Sequence, residues 1–107
     1  MMLPDTLDRY FNAQNAHDID GIVACFAPDA AVRDEGHDHR GTEAIRAWKV
    51  ATSAKYRITV KPIEFRNEGD RAIVVARVSG NFAGSPANLT YRFRFSADGR
   101  VAALEVR

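Results

Sequence analysis

A chain of 107 residues, 46% of them hydrophobic, has material for one domain around one core, spanning residues 1–107. Its 15 basic and 14 acidic residues leave a net charge of +1, with no long basic block or aromatic-interleaved basic stripe, which argues against a nucleic-acid partner. No apolar run approaches membrane-spanning length and no leader pattern opens the chain, so the expectation is a soluble cytoplasmic protein with no membrane partner. In chain order, Pro4 to Ala16 reads as a first helix. Proline suits a first turn, and Asp5 and Asp8 favour the positive end of the helix dipole. Leu3, Leu7, Tyr10, Phe11 and Gln14 follow steps of three and four, so Tyr10 shares a stripe with the apolar anchors. Asp18 can cap a short second helix from Ile19 to Phe26, with Ile19, Ile22, Val23 and Phe26 on one face, and Pro28-Asp29 ends it. Cys25, the only cysteine, lies in that apolar pattern and reads as a buried, inert thiol.

The next segment carries the strongest chemical signal. Ala30, Ala31 and Val32 run directly into Arg33, Asp34, Glu35, His37, Asp38, His39 and Arg40. If Ala30 to Glu35 is a strand, Val32 and Asp34 point to one face, and Arg33 and Glu35 to the other. The face of Val32 is the natural core face, so Asp34 points inward. Desolvation disfavours the charged form of an inward carboxylate, which is the condition a general acid or base near neutral pH needs. The alternative is a structural carboxylate paired with His39 or Arg40. His37 and His39 could share a strand face, but two imidazoles and a loose carboxylate fall short of a metal-ligand set, and no metal is expected.

Thr42 to Ala54 reads as a third helix, with Ala44, Ile45, Trp48 and Ala51 on its buried stripe and Thr52 at the edge. Beyond Lys55 the composition turns to β-branched and aromatic residues. Strands are expected over Tyr56–Asn67, Arg71–Ala83, Asn88–Ser96 and Arg100–Val106, broken by Glu68-Gly69-Asp70, Gly84-Ser85-Pro86 and Ala97-Asp98-Gly99. Short turns between sequential strands predict an antiparallel meander, and helices segregated before strands predict an α+β domain. Leu89, Tyr91, Phe93 and Phe95 share one face of the third of these strands, while Thr90, Arg92 and Arg94 take the other. One sheet face is therefore apolar and must be covered by the helices. A sheet curved around helices encloses a cone able to hold a small ligand.

The run from Arg9-Tyr10-Phe11 through Asp18-Ile19-Asp20-Gly21-Ile22-Val23 to Phe26-Ala27-Pro28-Asp29-Ala30-Ala31-Val32-Arg33-Asp34 resembles the opening of the NTF2-like superfamily. It is most similar to the branch of SnoaL-like polyketide cyclases and ketosteroid isomerases. His39-Arg40-Gly41-Thr42-Glu43-Ala44-Ile45 resembles that family's entry into its third helix. The resemblance covers the whole chain. It implies an α+β cone of three N-terminal helices on a curved, mostly antiparallel sheet, and a homodimer joined through the outer sheet face.

The same resemblance implies site residues. Tyr10 falls where the isomerases carry a tyrosine that donates to the enolate oxygen, and Asp34 where they carry the general base. Tyr91 falls where they carry a protonated aspartate, so Tyr10 and Tyr91 would form the oxyanion pair. That replacement departs from the isomerase pattern. No inward acidic residue marks the later strand where the cyclases carry their carboxylate, since Asp98 and Glu105 lie in a turn and near the terminus. Trp48, His39, Phe26 and Phe93 are the expected ligand contacts. Arg77 is read as outward-facing, the alternative being a pocket cation for an anionic substrate. The implied function is cofactor-independent proton transfer α to a carbonyl of a small apolar compound. The competing function is a non-catalytic module that binds a small ligand or dimerises.

Overall fold

Pro4 stands just before the first helix, not in its first turn, with ψ at 149°. The computed structural model describes residues 2–107, and α1 runs over Asp5–Asn15 with Pro4 at its cap. Its buried stripe is Leu7, Tyr10, Phe11 and Gln14. Asp18 caps α2 (Ile19–Ala24), its carboxylate accepting from the Gly21 amide at 3.0 Å. This helix is two residues shorter than expected, because Phe26 opens a strand instead of closing a helix. That strand, β1 (Phe26–Asp34), therefore contains Pro28 and Asp29, and its register shifts between Phe26 and Ala31. Proline has no N–H for the ladder, so the pairing jumps past it.

After Asp34 the chain reverses over Glu35 and Gly36, both at positive φ, into β2 (His37–Arg40). Two central residues in the left-handed region match the twist of a tight hairpin. Asp34 pairs with His37, and Val32 with His39. Gly41, at φ 87°, stands at the cap position of α3 (Thr42–Lys55), whose first helical residue is Thr42. The meander follows as β3 (Ile58–Glu68), β4 (Arg71–Gly80), β5 (Ala87–Phe95) and β6 (Val101–Val106).

The strands form one six-stranded sheet in the order β2-β1-β6-β5-β4-β3, antiparallel except for the parallel β1–β6 pair. The fold is the expected α+β architecture, with three helices among the described residues covering one face. Alternation decides that face: Ala72, Val74, Ala76 and Val78 of β4 are buried, as are Tyr91 and Phe93 of β5, whereas Arg77, Arg92 and Arg94 are exposed on the other side. Asn15 ties the end of α1 to β3. Its side chain donates to the Val60 carbonyl at 2.9 Å and accepts from the Val60 amide at 2.7 Å. No helix among the described residues is long and apolar enough to cross a membrane.

Candidate active site

Register places the site. Asp34 of β1 aligns with Val106 of β6, which aligns with Tyr91 of β5. All three stand in one row across the inner face. Adjacent strands lie about 4.8 Å apart, so Asp34 and Tyr91 sit roughly 10 Å from each other at the backbone. The next row holds Val32, Leu104, Phe93 and Ala72. It is filled core, and Tyr10 of α1 packs onto it with ring centroids 5.6 Å from Phe93 and 5.9 Å from Phe26, both edge to face. The rows therefore divide the cone into a packed end and an open end.

The open end is a cavity of about 320 Å³. Tyr10, Asp34, Tyr91 and Trp48 all line it, together with Gln14 and Lys49 and an apolar wall that includes Ile58, Val78, Phe82, Leu89 and Val106. Phe26 and Phe93, expected as ligand contacts, stand behind Tyr10 in the aromatic cluster and do not line this cavity. Neither does His39. Its imidazole stacks on the Trp48 ring (centroids 5.7 Å apart, planes at 23°) and faces a separate groove beside α3.

The partner of Asp34 differs from the sequence expectation. Neither His39 nor Arg40 pairs with it. The half-buried carboxylate accepts a hydrogen bond from the Trp48 indole N–H at 3.0 Å, and no Lys, Arg or His among the described residues forms an ion pair with it. Trp48 reaches it because α3 crosses over the β1–β2 hairpin. The indole bond orients the carboxylate and offsets part of its desolvation cost while leaving its other oxygen free.

Tyr10 is 1% exposed, and its hydroxyl has no hydrogen-bond partner among the described residues. A buried, unpaired donor is a rare and costly feature in a folded protein. Burial, reinforced by the charges that Tyr91 and Asp34 can carry nearby, holds the Tyr10 hydroxyl well above the usual phenol range. Burial and Asp34 likewise push Tyr91 upward. Both phenols consequently stay protonated and available as neutral donors near pH 7.

Two cavity residues escaped the sequence reading as functional groups. Lys49 is 6% exposed and Gln14 5%, and the lysine donates to the Gln14 side-chain carbonyl at 2.5 Å. Its ammonium also lies over Trp48, 4.1 Å from the ring centroid, and 5.7 Å from that of Tyr10. Burial lowers the Lys49 pKa to about 8, against an opposing pull from Asp34. The signal was present: Lys49 stands four residues after Ile45 and three before Thr52, on the buried stripe of α3. Ala51, placed on that stripe from the sequence, is exposed. Cys25 is buried outside the cavity, its thiol 3.4 Å from the Gly21 carbonyl and raised in pKa by burial.

The profile of the SnoaL-like domain matches residues 7–104. Among solved structures, a presumed polyketide cyclase of Sinorhizobium meliloti is 46% identical and superposes with a TM-score of 0.94, over 98% of this chain and 95% of that one. A Catenulispora acidiphila protein of ketosteroid isomerase-like fold, in complex with trimethylamine, is 19% identical with a TM-score of 0.87, over 99% and 86%. SalBIII, an epoxide hydrolase/cyclase-like enzyme in pyran-ring formation of the polyether salinomycin, is 20% identical with a TM-score of 0.82, over 95% and 86%. The last two share the fold. With the profile spanning nearly all of the sequence and a relative of 46% identity covered almost end to end, the chain belongs to the SnoaL-like domain family.

Proposed function

We propose that this protein is a cofactor-independent acid–base enzyme of the cytoplasm, moving a proton α to a carbonyl in a small, largely apolar compound. One observation carries the reading: a buried phenol without a hydrogen-bond partner among the described residues, Tyr10, lines the same cavity as a half-buried carboxylate with one oxygen unbonded among those residues, Asp34. Asp34 accepts the proton from the α carbon. Tyr10 donates to the carbonyl oxygen as enolate charge develops there, and Tyr91 is the second donor. Trp48 holds the carboxylate and forms part of the cavity wall. The apolar lining selects a hydrocarbon-rich ligand and strengthens these interactions by excluding water. The relationship to a presumed polyketide cyclase supports the same class of carbonyl chemistry.

The test is exchange of α protons for deuterium, followed by proton NMR on a panel of cyclic ketones and 1,3-dicarbonyl compounds. Exchange reports proton abstraction whether the completed reaction is isomerisation, cyclisation or elimination. The expected result is saturable exchange in the native protein, lost in Asp34→Asn. Saturable binding with no exchange on any member of the panel would instead leave a non-catalytic binding module. We further propose that two copies pair through the outer sheet face. There Asp38, Arg33, Glu105 and Arg92 alternate in sign along one row, while Glu68, Arg71 and Arg94 stand in a neighbouring row, and a two-fold axis can set such acidic and basic ends against each other. Light scattering that gives the mass of a single chain at micromolar concentration counts against this pairing.

A further inference from the structure

Lys49 has no role in the proton transfer just described, yet it is the most deeply buried cation in the described residues. Its ammonium carries up to three donors, and one is used, toward a neutral amide oxygen. Among the described residues no carboxylate lies within 4.0 Å of it, so it lacks a counter-ion. Asp34 favours the ammonium only from a distance: its carboxylate bonds Trp48 and stands more than 4.0 Å away, so it forms no ion pair with Lys49. An unpaired buried charge is strongly disfavoured unless something compensates it. Here the faces of Trp48 and Tyr10 stabilise the cation only in part. The cavity is open to ligand, and its remaining wall is largely apolar.

From this arrangement we propose that Lys49 is the anion-recognising residue of the cavity, and that the natural ligand is a small apolar molecule bearing one carboxylate. A single ammonium with two free N–H groups matches the charge and the two oxygens of a carboxylate. The inference rests on reading the cavity as a ligand site and narrows the substrate to carbonyl compounds that are also acids. Gln14 is a positioning residue, fixing the ammonium between the two rings.

Binding separates this proposal from the catalytic one. The probes are cyclohexylacetate and cyclohexylacetamide, nearly equal in shape and differing by the charge. The readout is fluorescence of Trp48, the only tryptophan, whose ring lies 4.1 Å from the ammonium. At about pH 6.5 the carboxylate is expected to bind about 10–100-fold more tightly than the amide, the worth of a charge-assisted hydrogen bond. That advantage falls above about pH 8 as Lys49 loses its proton. The other titratable groups lining the cavity are Tyr10 and His17 from α1 and its end, Asp34 and Glu35 from β1 and its turn, Tyr56 after α3 and Tyr91 of β5.

Lys49→Met therefore supplies the control. It is expected to bind both probes equally, with the pH dependence removed. Three results overturn the proposal: equal affinity of the two probes in the native protein at about pH 6.5, a carboxylate preference that survives in folded Lys49→Met, or no saturable binding of either probe. A covalent adduct at Lys49 after borohydride treatment with cyclohexanone also overturns it, since the lysine would then be an imine-forming amine. The native probe pair needs no substitution, so a misfolded variant does not spare the proposal. Absence of deuterium exchange alongside tight carboxylate binding would defeat the catalytic reading and leave this one standing.

Discussion

Tyr10→Phe separates what the site does from what holds the fold. The substitution removes one oxygen and leaves the ring, with its edge-to-face contacts to Phe11 at 5.2 Å, Phe26 at 5.9 Å and Phe93 at 5.6 Å. An ordinary buried tyrosine loses a hydrogen bond in this change. Here the hydroxyl has no partner to lose among the described residues. Relieving an unsatisfied buried donor stabilises by about 1–3 kcal/mol, and a cavity-lining position puts the effect near the lower end, about 1 kcal/mol. For a domain of this size that raises the melting temperature by roughly 4 °C. Activity moves the opposite way. Loss of one oxyanion donor lowers turnover by about 10²–10³-fold. The assays are calorimetry and α-deuterium exchange on the same preparations. A drop in melting temperature would mean that the hydroxyl serves the fold, and unchanged exchange would mean that it does not face the developing charge. Either result refutes the reasoning.

Asp34→Asn keeps an oxygen that can accept from the Trp48 indole, so its stability should stay within about 1 kcal/mol of the native protein while exchange falls by about 10²–10⁴-fold. A loss of about 3–5 kcal/mol in urea titration would expose a hidden ion pair. Lys49 makes stability depend on pH. Its pKa of about 8 lies below the unfolded value of 10.5, so between these the unfolded chain binds more protons and stability rises with pH. The gain is about 2 kcal/mol from pH 8 to pH 10. Above about pH 10 the raised pKa values of Tyr10 and Tyr91 oppose it, because the unfolded phenols ionise first. Denaturant titrations across this range should show the rise in the native protein and none in Lys49→Met. Asn15→Ala breaks both bonds to Val60 and should cost about 1–3 kcal/mol without changing ligand preference, and an unchanged urea midpoint would show that these bonds do not hold α1 on the sheet.

Local pattern was enough to read much of this molecule. The step of three and four residues from Leu7 to Gln14 put Tyr10 on the inner side of α1, because helix periodicity depends only on residues within two turns. Strand alternation put Asp34 beside Val32 and Tyr91 beside Phe93, for the same local reason. The shape of β1 was less legible. Its start at Phe26 and its bulge at Pro28 depend on pairing with β6, some 70 residues further along the chain.

What the sequence determined by itself is the class of fold and the inward direction of the chemical groups. Which groups meet was decided by tertiary structure. The register of β1, β6 and β5 set Asp34 and Tyr91 in one row and left Phe93 a row deeper, so one aromatic lines the cavity and the other fills the core. The crossing of α3 over the hairpin gave Asp34 the indole of Trp48 in place of the nearby His39. The facing of α1 and α3 joined Gln14 to Lys49 across 35 positions of sequence. Periodicity fixes the direction of a side chain on its own element, but contact between elements depends on register and packing angle, and those are set by the whole core at once.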